Sequence, residues 1–184
     1  MQTHKSNSRL NLVVEGETWS EIPLPNMQAK KIAVNKSGQL FFSDNQSIYK
    51  GNGNWNASIF STINSKHGGI SLQNDSRLYT ADLNRKKIVA IEENGKVNDI
   101  VSNVSADFLT ISNKGIYFID TSKDRVGFYS FAKKDILYVG TPNHPTGLAI
   151  STEQTFLNVG MANHRFGFSF KINEDGTIQF GQDY

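Results

Sequence analysis

Leu109-Thr110-Ile111-Ser112-Asn113-Lys114-Gly115-Ile116-Tyr117-Phe118-Ile119-Asp120 carries the signal that decides the fold. An apolar-x-apolar triplet, a polar turn, a second apolar run and an aspartate make up a strand, a turn and a strand. The same order recurs about every 38 residues, and self-similarity at that period marks a propeller blade or solenoid turn. Its triplets are Ile32-Ala33-Val34, Ile70-Ser71-Leu72, Leu109-Thr110-Ile111 and Leu148-Ala149-Ile150. The second runs are Leu40-Phe41-Phe42, Leu78-Tyr79, Ile116-Tyr117-Phe118 and Phe156-Leu157. Asp44, Asp82 and Asp120 share one place in the first three copies, and Met161 stands in the fourth.

Each copy continues into a third strand, at 47–50, 87–91, 127–131 and 168–172. Fourth strands follow at 57–60, 97–101, 136–139 and 177–180. Glu93-Asn94-Gly95-Lys96 and Glu174-Asp175-Gly176-Thr177 carry Asn-Gly and Asp-Gly pairs, predicting two-residue hairpins with positive φ. No copy offers a helical stripe. Four antiparallel strands per repeat describe an all-β propeller, with blades at about 29–66, 67–104, 105–143 and 144–184. A sandwich or barrel is the alternative, but neither requires a sequence repeat. Ahead of the blades, the segment 1–28 contains Leu10-Asn11-Leu12-Val13-Val14 and Trp19-Ser20-Glu21-Ile22, one or two strands placed to complete a closing blade. A four-bladed ring leaves little room at its axis, so the blades are expected to belong to a larger ring. Further repeats or another chain would supply the rest.

Composition fits that architecture. The chain has 184 residues, 38% hydrophobic and 20% charged, with twelve Phe and six Tyr, which suits a strand-rich globular domain. A net charge of +2, with the pairs Lys30-Lys31, Lys86-Lys87 and Lys133-Lys134 in separate repeats, argues against nucleic acid as partner. There is no cysteine, so disulfides and thiolate metal sites are excluded. No apolar run approaches the roughly 18 residues that cross a bilayer, and the polar start carries no export signal. A complete chain of this kind is expected in the cytoplasm; a fragment leaves the location open.

Three phrases carry a family resemblance: Gly38-Gln39-Leu40-Phe41-Phe42-Ser43-Asp44, Lys114-Gly115-Ile116-Tyr117-Phe118-Ile119-Asp120 and His144-Pro145-Thr146-Gly147-Leu148-Ala149-Ile150-Ser151. Arg165 to Thr177 adds a fourth. Together they resemble the senescence marker protein, gluconolactonase and luciferin-regenerating enzyme family, with phrases of the kind G-x-L-Y-F-T-D and P-N-G-L-A-L-S-P-D. The resemblance implies a six-bladed propeller with an axial divalent cation, usually calcium, and hydrolysis of sugar lactones or similar cyclic esters.

Counting back from the aligned strands, the inner-strand starts fall at Lys30, Gly68, Ala106 and Thr146. By resemblance, Lys30 stands at the family's metal-binding Glu, Gly68 at a substrate-side Asn, and Ala106 and Thr146 at two further Asn. Met161 stands at the metal-binding Asp. The expected outcome is a dead lactonase site with no metal and no cofactor, leaving a binding or interaction module. Its ligand would be a small carbohydrate-like molecule or a protein. Lys30 could supply an internal cation where the metal was, weighed against an exposed lysine on a drifted loop.

The alternative is a calcium- or zinc-dependent lactonase or esterase using Asp107 and Thr146. A degenerate copy without activity is a third reading. Asp107 is the candidate general base, weighed against a role in tying loops. His67, His144, His164 and Arg165 are candidate residues of the channel mouth, weighed against ordinary surface positions. Asp44, Asp82 and Asp120 recur as turn-capping residues do. No Gly-rich phosphate loop, Ser-His-Asp set or His-Glu-x-x-His helix is present.

Overall fold

The computed structural model describes residues 29–44, 46–51, 57–73, 77–140, 144–162, 165 and 167–183, with side chains at all of these except 180, 182 and 183. The expected strands within 1–28 and residue His164 lie outside the described residues.

Alternating and β-branched runs separated by turn residues fold into four antiparallel sheets, each built from four strands consecutive in the chain. Sheet 1 holds β1 (Lys31–Val34), β2 (Leu40–Ser43), β3 (Ser47–Gly51) and β4 (Ala57–Thr62). Sheet 2 holds β5 (His67–Leu72), β6 (Leu78–Asp82), β7 (Lys87–Ile91) and β8 (Val97–Ser102). Sheet 3 holds β9 (Ala106–Ile111), β10 (Gly115–Asp120), β11 (Arg125–Ser130) and β12 (Ile136–Tyr138). Sheet 4 holds β13 (Pro145–Ile150), β14 (Phe156–Met161), β15 (Phe168–Ile172) and β16 (Ile178–Asp183). Among the described residues there is no helix, and none long and apolar enough to cross a membrane.

The first strands adjoin in chain order, β1 beside β5, β5 beside β9 and β9 beside β13. They are the inner strands, and their starts gather at one end of the molecule. The sheets stack face to face, because alternate residues along each strand point into opposite seams. In sheet 2, Leu78 and Ile91 join Phe41 and Ile48 of sheet 1, while Tyr79, Ala81, Ile88 and Ala90 join Leu109, Ile116 and Phe118 of sheet 3. In sheet 3, Tyr117, Ile119, Val126 and Phe128 face Leu157, Val159 and Phe170 of sheet 4. Burying each such side chain contributes roughly 1.5–3 kcal/mol, so the seams hold the sheets together. The Tyr117 hydroxyl also donates across its seam to the Gly176 carbonyl at 2.5 Å.

The outward faces of the end sheets differ. Ile32 (66% exposed), Val34 and Ile59 stand exposed on sheet 1, and polar Asn158 and Lys171 flank Phe156 on sheet 4.

The hairpins at 92–96 and 173–177 are not the expected two-residue turns. Gly95 and Gly176 have φ of +81° and +88°, but no positive φ occurs at Asn94 or Asp175. The Gly95 N–H donates to the Glu92 carbonyl and the Gly176 N–H to Asn173. Each is a type I turn closed by a left-handed glycine, the three-residue loop form.

Candidate functional site

Aspartate at the end of the second strand organises each of the first three sheets. Asp44 accepts the backbone N–H groups of Gln46 (2.7 Å) and Ser47 (2.8 Å) and the Tyr49 hydroxyl. Asp82 is fully buried and accepts from the Arg85 N–H (2.9 Å), the Ser65 hydroxyl and the Arg85 guanidinium. Asp120, also fully buried, accepts from the Ser122 N–H and hydroxyl and from the Tyr138 hydroxyl at 2.8 Å. Burial by itself would raise all three carboxyls, yet the hydrogen bonds to the charged form outweigh it and hold each below the usual carboxylate value. These carboxylates cap turns, as their recurrence predicts.

The inner-strand starts are shifted from the sequence count by a bulge. His67 pairs with Asp82, Ala106 with Asp120 and Pro145 with Met161, each next to a break in register before the regular ladder resumes. In sheet 1 the ladder runs from Lys31 opposite Ser43 without a break, and the Lys30 N–H donates to the Ser43 carbonyl. Lys30, His67, Ala106 and Pro145 therefore occupy equivalent places. Gly68 and Thr146 lie one residue further on, because a bulge adds an inner-strand residue that even spacing does not reveal.

Gly68 has its own reason. A Cβ there would lie 2.6 Å from the Asp107 carbonyl oxygen and 2.9 Å from that of Ala106, so β5 and β9 approach too closely for any side chain. Ala106 and Met161 are 1% and 7% exposed and belong to the cores of their seams. Thr146 is exposed, as is Arg165. The His144 ring lies 3.0 Å from the Asp124 carboxylate, which also accepts the His144 N–H.

Three of the expected site residues do meet. Lys30, His67 and Asp107 line a cavity of about 360 Å³ at the end where the inner strands start, together with Lys31, Lys66, Leu83 and Thr121. Its electrostatics are cationic, with three lysines facing one carboxylate. Asp107 lies 3.8 Å from the Lys31 ammonium, which also sits 4.5 Å above the Phe108 ring. His67 is 6% exposed, and among the described residues neither ring nitrogen has a hydrogen-bond partner. The Gln46 backbone favours the protonated ring from nearby, but its carbonyl already accepts from Ile63 and Asn64. Burial dominates and pushes the imidazole below its ordinary value, so the ring is neutral near pH 7, against the pull of Asp82 and Asp44.

Two more orphans share that seam. The hydroxyls of Ser43 and Thr80, both fully buried, have no partner among the described residues, and they stand on the faces of β2 and β6 that carry Phe41 and Leu78 into the seam between sheets 1 and 2. Lys66 and the orphaned hydroxyls were missed by motif reading. Lys66 directly precedes His67, so only the corrected register points to it.

A second cavity, about 420 Å³, lies toward the opposite end between sheets 2 and 3, lined by Tyr79, Tyr129 and Phe131 among others. Its Asp99 is already paired with Lys87 and Arg85.

A calcium ion takes six to eight oxygens, usually several from carboxylates. The cavity offers one carboxylate, engaged by Lys31, among ammonium groups that repel a cation. Among the described residues no group of three or more His, Asp or Glu side chains is placed to hold a metal ion. The residues present do not fit the cation that the resemblance implies.

No protein-family model matches the chain, and no curated protein matches its sequence. Solved structures do match in shape. A gluconolactonase from Xanthomonas campestris superposes with a TM-score of 0.70 at 14% identity, over 85% of this chain and 62% of that one. The fold is that of a β-propeller. Virginiamycin B lyase from Staphylococcus aureus gives a TM-score of 0.67 at 16% identity, over 88% of this chain and 57% of its own. A chain of the nidogen/laminin complex gives 0.71 at 12% identity, over 84% of this chain and 64% of its own. The chain thus spans about three fifths of the propellers it resembles. At these identities the likeness concerns architecture, and chemistry has to be argued from the site.

Proposed function

We propose that this chain is a gluconolactonase-like propeller domain that no longer carries a metal-dependent lactone hydrolase and works as a binding module for a small carbohydrate-like ligand or a protein partner. The observation that carries the reading is the lining of the inner-strand mouth, where Lys30, Lys31 and Lys66 surround the lone carboxylate of Asp107. A lactonase of this design needs a Lewis acid to polarise the carbonyl and activate water, and this donor set attracts anions instead. The ion pair to Lys31 also commits Asp107, the candidate general base, to a structural contact. Thr146, the partner that the esterase alternative would need, is not part of the cavity lining.

The test is hydrolysis of gluconolactone by the purified chain with calcium, with zinc and with chelator. The expected rate equals the spontaneous one in every condition. Turnover that chelator abolishes and added metal restores would overturn the reading.

A further inference from the structure

We propose that the mouth where sheets 1, 2 and 3 meet is a binding site for a small organic anion, a carboxylate or a phosphate, with Lys30, Lys66 and the buried ring of His67 as its recognition groups. The inference rests on the reading of the chain as a binding module and narrows it to the charge of the ligand.

Charge bookkeeping within the cavity comes first. Lys31 is matched by Asp107 at 3.8 Å, whereas Lys30 and Lys66 have no carboxylate within ion-pair distance among the described residues. Both are exposed, so their ammonium groups reach the entrance without a large desolvation cost. A cation is repelled from such a mouth, and an uncharged ligand leaves the two lysines unused. An anion uses both, through charge-assisted hydrogen bonds that are the stronger kind.

The second observation is independent of the lysines. His67 is 6% exposed, lines the same cavity, and has both ring nitrogens unpartnered among the described residues. A neutral imidazole carries one donor and one acceptor, and buried polar groups are held to their partners by the cost of leaving them bare. The hydroxyls of Ser43 and Thr80, on the same seam but outside the cavity lining, are orphaned as well. Both nitrogens are fully buried, so the ring has to turn for its donor to meet an anionic oxygen. Thr121, whose hydroxyl donates to the Ser105 carbonyl at 2.9 Å, keeps its lone pairs available on the opposite wall. The volume of about 360 Å³ lies at the small end of the range for small-molecule sites. A hydroxylated acid or a phosphate fits, and a polymeric anion finds no extended basic track in a chain of net charge +2.

The experiment is calorimetric titration of the full chain with gluconate and with inorganic phosphate, using glucose as the uncharged control, alongside NMR of the His67 ring signals. Saturable binding of at least one anion is expected, with no binding of glucose and with movement of the His67 signals. Saturation by gluconate alone identifies a carboxylate, and saturation by phosphate alone a phosphate. The double variant Lys30→Ala/Lys66→Ala should bind at least about tenfold more weakly, with an unchanged unfolding midpoint because both side chains are exposed. Lys36→Ala, on the exposed turn after β1, should bind as the parent does. The proposal is overturned if neither anion saturates, if glucose binds equally well, if Lys36→Ala weakens binding as much as the double variant, or if the His67 signals stay still. Chelator-sensitive lactone turnover strikes at the binding-module reading instead, so the two failures are told apart.

Discussion

Between sheets 2 and 3 the inner-strand backbones touch and the seam is filled by Tyr79, Ile88, Ile116 and Phe118; between sheets 1 and 2 the apolar cluster of Phe41, Ile48 and Leu78 shares its seam with the unpartnered Ser43, His67 and Thr80. Both seams come from the same repeat, so the difference lies in what was substituted into it. Close apolar packing in a seam serves stability. A seam that keeps bare polar groups beside a cationic mouth gives up stability at a place where a ligand can restore it.

The sharpest way to break this contrast is to remove the centre of the apolar cluster between sheets 2 and 3. Phe118 is fully buried, with its ring against the Gly127 backbone, and Phe118→Ala should cost about 3–5 kcal/mol. Denaturant unfolding measures it, and a loss below about 1 kcal/mol would show that the seam is loosely packed. Next in size is Gly68→Ala. Its added methyl would lie 2.6 Å from the Asp107 carbonyl oxygen and 2.9 Å from the Ala81 Cβ, atoms that backbone packing fixes, so about 1–3 kcal/mol should be lost. Gly147, in the bulge of β13, has nothing within 4 Å of the same methyl, and Gly147→Ala should stay within about 0.5 kcal/mol of the parent. Equal effects at the two glycines would remove the distinction between tight and open inner strands.

The smallest effect is expected in the other seam. Thr80→Val replaces an orphaned buried hydroxyl by a methyl of similar shape, which should leave stability unchanged or raise it by about 1 kcal/mol. A thermal unfolding midpoint that falls instead would mean that the Thr80 hydroxyl is satisfied in solution, and the contrast between the seams would weaken.

The sheets were legible in the sequence because the cause is local. Ile116-Tyr117-Phe118 alternates between two seams, and the recurrence of that pattern announces each blade. Asp44, Asp82 and Asp120 were legible as turn caps, since one spacing in three repeats expresses one local hydrogen-bonding need. The site was only partly legible. Lys30 and Asp107 emerged from counting, and His67 from its chemistry, but Gly68 and Thr146 were placed one residue late because a β-bulge changes the register without changing residue types. By resemblance Gly68 stands at a substrate-side Asn, whereas the contact that forbids a side chain there comes from β9, some forty residues away in the chain. The missing partners of Ser43 and Thr80 are likewise a property of two stacked sheets, which no single repeat contains. In the turns, Asn94-Gly95 and Asp175-Gly176 were correct as hairpin signals, yet the loops are one residue longer than the pair suggests.

The proposal that this propeller's mouth carries no metal-dependent hydrolase is tested most directly by the chelator dependence of gluconolactone hydrolysis. The account predicts the spontaneous rate with calcium, with zinc and with chelator alike. Enzymatic turnover that disappears with chelator and returns with either metal would contradict it.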